Sequence, residues 1–327
     1  MEISVIIPVY GVELWIERCV RSLMEQTIIK DVEFIFVNDA SQDKSMEIVY
    51  QTVSLYPNRK NQVIFIEHKI NKGLPAARNT GLSFARGKYV FHCDSDDFLE
   101  PDMLEKMLEK ANKFDADIVW CDWFLTFRKN ERRMREPHAT TPIEALKSML
   151  NGSLKYNVWN KLIRRNLFTK NNIIFPEGHS MGEDMTIICL VAKAKCVANV
   201  SEPFYHYVKV NCNAMTHHYS EDKLESLKHN VLSTIQFLRS KAKHLDIDRE
   251  ISFFLLNVKL PFLFSGLKED INRWGKWYPE ANKMIMYNQS QALRTRLLQW
   301  CAAHNFSFLN ILYARYITNF IYGKIFK

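Results

Sequence analysis

Three acids fall within four residues at Asp94-Ser95-Asp96-Asp97, and two more are adjacent at Glu183-Asp184. A lone Asp after a strand is most often a turn or helix cap. Carboxylates this close repel one another in a half-buried crevice unless a cation or an array of donors compensates. Oxygen-only donor sets suit Mg²⁺ or Mn²⁺ rather than zinc. Such an ion commonly bridges protein carboxylates and a diphosphate, so the run favours a nucleotide site. The glycine cradles for phosphate are absent: there is no G-x-x-x-x-G-K-[ST], and no G-x-G-x-x-G follows the first apolar run. A nucleotide would rest instead on a divalent ion and on side chains. Asn71-Lys72-Gly73 and Ala77-Arg78-Asn79 are candidate donors, with a surface ion pair as the alternative role for Arg78.

These residues need a scaffold, and the first 120 positions supply the pattern of one. Strand-like runs are predicted at 3–9, 32–37, 63–66, 88–93 and 116–121, and helical spacing at 12–26, 46–53 and 74–85, with a further helix opening at Pro101. Strands apolar on both faces and separated by helices imply a parallel sheet covered on two sides. Ligands of such sheets bind beyond the carboxyl ends of the strands. Pro8-Val9-Tyr10, Asn38-Asp39-Ala40-Ser41 and the Asp94–Asp97 run sit at three such ends. Beyond residue 125 the alternation fades. A basic loop spans Arg128–Arg135, helices are predicted near 142–150, 158–170 and 183–195, and a strand at 196–208. From 221 onward the pattern is helical and aromatic, which divides the chain into 1–220 and 221–327.

The 327 residues carry 44 Lys and Arg against 36 Asp and Glu, and 47% are apolar. That composition excludes disordered, collagenous and low-complexity chains. The excess charge is one-ended, +1 over residues 1–219 and +7 over 220–327. A surface for an anionic partner and a plain solvated face both account for it. The seven cysteines form no C-x-x-C pair, which leaves no zinc ribbon or redox dithiol. The apolar stretches 251–267 and 306–322 are each interrupted by polar residues. Neither gives the roughly 20 clean apolar residues of a spanning helix. With no leader pattern at the N-terminus, a reduced, cytoplasmic setting is expected.

Six motifs in order now carry a resemblance. Pro8-Val9-Tyr10, Asn38-Asp39-Ala40-Ser41-Gln42-Asp43, Asn71-Lys72-Gly73 with Ala77-Arg78-Asn79-Thr80-Gly81, Asp94-Ser95-Asp96-Asp97, Trp159-Asn160-Lys161-Leu162 and Gly182-Glu183-Asp184 resemble those of family 2 glycosyltransferases. The likeness spans about residues 1–215. It implies an α/β GT-A fold, a Rossmann-like and mostly parallel sheet with helices on both faces, here followed by a helical extension. It also implies inverting transfer from a nucleotide-sugar, with UDP the favoured carrier and Mn²⁺ or Mg²⁺ as cofactor. By that likeness Tyr10 and Asp39 contact the base, Asp39 accepting from a uracil N–H, with Pro8, Val9 and Asn71 alongside. Arg78 braces the nucleotide, Asp94 and Ser95 line the nucleoside side, Asp96 touches the metal, and Asp97 lies near the donor sugar. Asp184 is the catalytic base, and Glu183 and Lys161 support it or the acceptor. An inverting transfer needs a carboxylate to deprotonate the acceptor and positive charge to stabilise the leaving diphosphate, which agrees with those roles.

Departures from the family pattern are Gly11 where an Asn often follows Pro-x-Tyr, Asn38 in place of the first acid of a pair, and Val208-Lys209 where an Arg often stands. Lys209, His217 and His218 are open candidates for phosphate contact. The segment 306–327, with Arg315, Lys324 and Lys327 as its only charges, is read as core packing, a subunit contact, or a basic amphipathic helix on an anionic bilayer. The expected acceptor is a glycan or lipid-linked glycan of a surface polysaccharide. The alternatives are a sugar-nucleotide nucleotidyltransferase and a nucleic-acid-binding module. The first lacks its Gly-rich loop. For the second, the aromatics sit in apolar helical runs rather than interleaved with Lys and Arg for stacking, so no nucleic acid is expected.

Overall fold

The computed structural model describes residues 1–209 and 220–317. His217, His218 and the end of the C-terminal segment, 318–327, lie outside the described residues. Nine strands form one sheet: β1 (Ile3–Val9), β2 (Val32–Asn38), β3 (Val63–Glu67), β4 (Tyr89–His92), β5 (Phe98–Leu99), β6 (Ile118–Thr126), β7 (Glu131–Met134), β8 (Lys161–Arg164) and β9 (Val197–Val208). Their order is β3-β2-β1-β4-β8-β6-β9-β5, with β7 paired to the outer half of β6. β1, β2, β3, β4, β6 and β9 run one way, and β5, β7 and β8 run against them. The expected mostly parallel sheet is therefore present. All seven residues of β1 and all four of β4 are buried, as a sheet covered on both sides requires.

The helices are α1 (Ile16–Met24), α2 (Ser45–Ser54), α3 (Leu74–Phe84), α4 (Met103–Phe114), α5 (Pro142–Asn151), α6 (Asn166–Asn171), α7 (Thr186–Val191), α8 (Glu221–Lys241), α9 (Asp248–Val258), α10 (Pro261–Phe264), α11 (Lys268–Lys276), α12 (Leu293–Ala303) and α13 (Ser307–Tyr316). α3 packs directly on β1 because Gly81 has no side chain: a Cβ there would overlap Ile6. That close approach explains a glycine three residues after Arg78, and it sets the depth at which Arg78 enters the molecule.

Several sequence expectations are corrected. The helix expected at 158–170 is β8 followed by the short α6. Leu162 pairs with both Phe91 and Val119, so the buried Leu-Ile run of β8 fills a gap between β4 and β6 that no local periodicity reveals. The 183–195 helix opens as a single 3-10 turn at Glu183–Met185, and α7 ends at Val191. Pro101 lies two residues ahead of α4 rather than in its first turn. The chain divides into two compact units, Met1–Ala145 with Tyr156–Lys243, and Leu146–Lys155 with His244–Lys327. α8 falls within the first unit because it packs on α7 and on the Glu183–Met185 turn.

The second unit is helical around a core that includes Phe254 and Trp274. Lys259 is fully buried there, its Nζ donating to the Trp277 carbonyl at 2.8 Å and to Asn282 Oδ1 at 2.6 Å. α12 and α13 leave Leu293, Trp300, Phe308, Leu312 and Tyr316 exposed. No helix among the described residues is long and apolar enough to cross a membrane.

Candidate active site

The loops after β1 and β2 are stitched together by Ser41 and Asp43 of the Asn38–Asp43 motif and by Ser45 at the start of α2. The backbone N–H of Gly11 donates to Ser41 Oγ at 2.9 Å, that of Val12 to Ser45 Oγ at 2.9 Å, and that of Glu13 to Asp43 Oδ2 at 3.1 Å. This fixes Tyr10, which stands 54% exposed at the carboxyl end of β1. Pro8 and Val9 are buried strand residues, so within Pro-Val-Tyr only Tyr10 offers a side chain to a ligand.

Asp39 is buried. Its Oδ1 accepts from Lys72 N–H at 2.8 Å and lies 2.6 Å from His68 Nδ1, and its Oδ2 accepts from Gly73 N–H at 2.8 Å. Gly73 adopts φ +86° to present that N–H, which glycine does without strain. Asp39 therefore shapes the loop carrying the exposed Asn71. His68, which also meets Thr80 Oγ1 at 2.9 Å, was not singled out from the sequence. Its one signal is its place directly after the third strand.

Arg78 is the centre of the site. It enters from α3, is 1% exposed, and holds three carboxylates. Its Nη1 donates to Asp184 Oδ1 at 2.9 Å and to Glu183 Oε1 at 3.3 Å, and its Nη2 to Asp94 Oδ1 at 2.9 Å. The guanidinium lies over Phe175, 5.5 Å from the ring centre, and His92 packs edge-on to the same ring. Burial and the nearby Arg78 charge drive His92 well below the usual imidazole range, so it adds no second cation. Burial raises Glu183 and Asp184 above ordinary carboxylates, the charge of Asp184 adding to the rise in Glu183 and that of Asp94 to the rise in Asp184, while Arg78 opposes it in both. The Asp184 side chain keeps 22% exposure against 11% for Glu183, so Asp184 is the one more open to a substrate. Arg78 thus organises the acids rather than standing as a surface ion pair.

The members of the Asp94–Asp97 run diverge. Asp97 turns inward, 1% exposed, and accepts from Tyr205 Oη at 2.8 Å and from Val208 N–H at 2.7 Å. The same Tyr205 oxygen accepts from Asp94 N–H at 3.1 Å. Asp97 thus anchors β9 beneath the turn, and burial with the charges of Asp96 and Asp94 pushes its carboxyl well up. Tyr205→Phe should cost about 1–3 kcal/mol of stability by stranding the Asp97 carboxyl. Urea unfolding of the two proteins checks it. Ser95 is buried, and Asp96 is half exposed. Among the described residues no three His, Cys, Asp or Glu form a ready metal cage. Mg²⁺ or Mn²⁺ takes one or two carboxylates and completes its shell with substrate phosphates and water, a donor set that Asp96 and a diphosphate fit. Arg18 on α1 lies 4.1 Å over Phe98 within the field of Asp97 and Asp96, a cation near this turn that the sequence did not mark.

Lys161 is fully buried at the start of β8, donating to Asn157 O at 2.7 Å and Asn160 Oδ1 at 2.8 Å. Burial pulls its ammonium down to about 8, and Asp184 is among the acids that hold it up. It acts on Asp184 through charge, and Val158 backbone supports the same carboxylate. The remaining late-motif residue, Trp159, stacks on Tyr205 with ring centres 4.5 Å apart.

An acid-lined site at the carboxyl ends of a Rossmann-like sheet, centred on one buried arginine, defines the class of nucleotide-sugar-dependent transferases of GT-A architecture. The comparisons make the assignment closer. Residues 4–182 match the profile of Glycosyl transferase family 2, and the chain belongs to that family. It is 31% identical over 275 residues to the uncharacterized glycosyltransferase EpsJ of Bacillus subtilis, covering 81% of this chain and 77% of that protein. It is also 31% identical over 211 residues to the minor teichoic acid biosynthesis protein GgaB of the same organism, covering 63% of this chain and 23% of GgaB. The fold is shared with S. aureus TarS 1–349 in complex with UDP-GlcNAc, at a TM-score of 0.69 and 21% identity over all of this chain and 93% of that one.

Proposed function

We propose that the protein transfers a sugar from a UDP-sugar, with inversion at the anomeric carbon, to a hydroxyl of a cell-surface glycan under assembly. The observation that carries this is the convergence of Asp94, Glu183 and Asp184 on Arg78 at the carboxyl ends of β1, β2 and β4. The UDP-GlcNAc complex of TarS supports the carrier, and GgaB, by its part in teichoic acid biosynthesis, supports a surface glycan.

In this reading Tyr10 stacks on the base, and Asp39 holds the Asn71–Gly73 loop beside it. Asp96 and the diphosphate would hold a Mn²⁺ or Mg²⁺ ion, which would supply positive charge at the departing oxygen. Asp184 takes the acceptor hydroxyl proton. The freed oxygen forms the new bond to the anomeric carbon as the bond to the diphosphate breaks, and UDP leaves with that electron pair. Arg78 keeps Asp184 in place, and Lys161 favours its ionised form. This takes the place of the nucleotidyltransferase and nucleic-acid alternatives.

Thermal unfolding with UDP or GDP, in Mn²⁺ and then in EDTA, tests it. UDP with Mn²⁺ at 100-fold excess over Kd should raise Tm by about 5 °C or more, and EDTA should abolish the rise. No shift with either nucleotide would sink the reading. Asp96→Ala should weaken UDP binding at least tenfold in Mn²⁺ and leave binding in EDTA unchanged. Equal binding in Mn²⁺ would remove Asp96 from the metal.

A further inference from the structure

We propose that the hairpin of β6 and β7 is a docking surface for a polyanionic acceptor chain, a glycan bearing repeated phosphodiester or carboxylate groups. The proposal rests on the transferase reading and names the acceptor class it leaves open. Residues 127–135, Phe-Arg-Lys-Asn-Glu-Arg-Arg-Met-Arg, hold five cations and one acid. Two of those charges are already used within the fold. Arg133 donates to Asp122 Oδ2 at 2.8 Å and to the Ser201 carbonyl at 2.6 Å, and Glu131 meets His206 Nδ1 at 3.1 Å. Arg128, Lys129, Arg132 and Arg135 are exposed, and no carboxylate stands at ion-pair distance from them among the described residues. Four unpaired cations on so short a hairpin repel one another, a cost that an anionic partner reverses.

The hairpin lies at the reacting end of the sheet. β6 runs parallel to β1 and β4, so Thr126, its last residue, lies at the same carboxyl end of the sheet as Tyr10 and Asp94. Thr126 pairs with Val208 on one side and with Glu131 on the other, and Val208 N–H is bonded to Asp97. His206 ties the hairpin to the same turn by a second route, holding Glu131 and, at 2.8 Å, Glu100. With strands about 4.8 Å apart, the hairpin backbone stands roughly 10 Å from the Asp97 carboxylate. A chain lying along it would lie at the end of the sheet that carries Asp94, to which Arg78 joins Asp184.

The surface chemistry selects the partner. Between Phe114 and Ile174 no large apolar side chain is exposed. Interfacial membrane binding relies on such anchors, and single-stranded nucleic acid on exposed aromatics, so the hairpin offers charge alone. Charge alone suits a hydrophilic polymer with regularly spaced anions.

The test is fluorescence anisotropy of labelled glycerol-phosphate oligomers and oligogalacturonate, with neutral malto-oligosaccharide as control, on the full chain. At least one anionic oligomer should bind at 50 mM salt and weaken about tenfold or more by 200 mM. Which one binds identifies phosphodiester or carboxylate as the source. R128Q/K129Q/R132Q/R135Q should lose at least tenfold in that affinity with UDP affinity unchanged within twofold. R128Q/K129Q, confined to the turn and harmless to β7, should lose threefold or more. Undiminished binding by these variants, binding of the neutral oligomer equally well, or no anionic binding by the natural chain would each overturn the proposal. So would variants that lose binding only to phosphatidylglycerol vesicles. Failure of the natural chain to bind UDP while hairpin-dependent polyanion binding persists would overturn the transferase reading and leave the surface standing.

Discussion

Asp184→Asn is expected to lower kcat by about 10³-fold while UDP affinity stays within a few fold. A positioned general base contributes about 10²–10⁴-fold, and the Asn cannot take the acceptor proton. It does keep the shape and an oxygen for the Arg78 Nη1 now donating to Asp184 at 2.9 Å, so the nucleotide side of the site should persist. The natural enzyme should lose activity as pH falls through the Asp184 pKa, which burial places above that of a free Asp. The base works only when ionised, so activity is retained above that pKa and lost below it, and the variant should lack this acidic limb. Single-turnover transfer and UDP titration on the same samples separate the outcomes. Parallel loss of UDP affinity would make Asp184 a ligand contact instead of the base.

Arg78→Met should have the largest effect on stability. The substitution leaves Asp94, Glu183 and Asp184 close together in a buried space without their shared cation. Removing one side of a buried ion cluster costs about 3–5 kcal/mol, which for a unit of this size corresponds to a fall in Tm of roughly 10 °C. Arg78→Lys should recover only part of it, because one ammonium cannot reproduce a fork whose two nitrogens face different acids. The pH dependence has a definite sign. Without the guanidinium, which opposes the rise in Glu183 and Asp184, those two folded-state pKa values rise further above their unfolded values, so the native state binds more protons than the unfolded chain. The deficit is then full at neutral and alkaline pH and shrinks as pH falls through those raised values. Melting curves of both variants from pH 5 to 8 check this. A Met variant as stable as the natural chain at every pH would remove Arg78 from the centre of the site.

The sequence made the site legible chiefly through order. Asp94-Ser95-Asp96-Asp97, Arg78 and Glu183-Asp184 stand out because acids and a cation recur at strand ends, and the six motifs in sequence point to one family. The burial of Asp97 shows the limit of that reading. Consecutive residues in a turn face different ways, so four similar side chains receive three different environments. Tyr205 is the residue that turns Asp97 inward, from 108 positions away. His68 and Arg18 escaped notice for a related reason: a single His or Arg carries no pattern until the fold sets it beside an acid.

By itself the sequence determined the alternation of apolar runs and helices. That alternation dictates a covered parallel sheet, because strands apolar on both faces have nowhere else to go. It also determined which residue types could collect at the carboxyl ends. Only the tertiary structure decided which acids share a cation. Glu183 and Asp184 lie more than 100 residues beyond Arg78, and they reach it because Gly81 lets α3 sink onto β1. The structure alone also made β8 a strand. Its four residues carry no periodicity of their own and take their conformation from the hydrogen-bonding edges of β4 and β6 on either side.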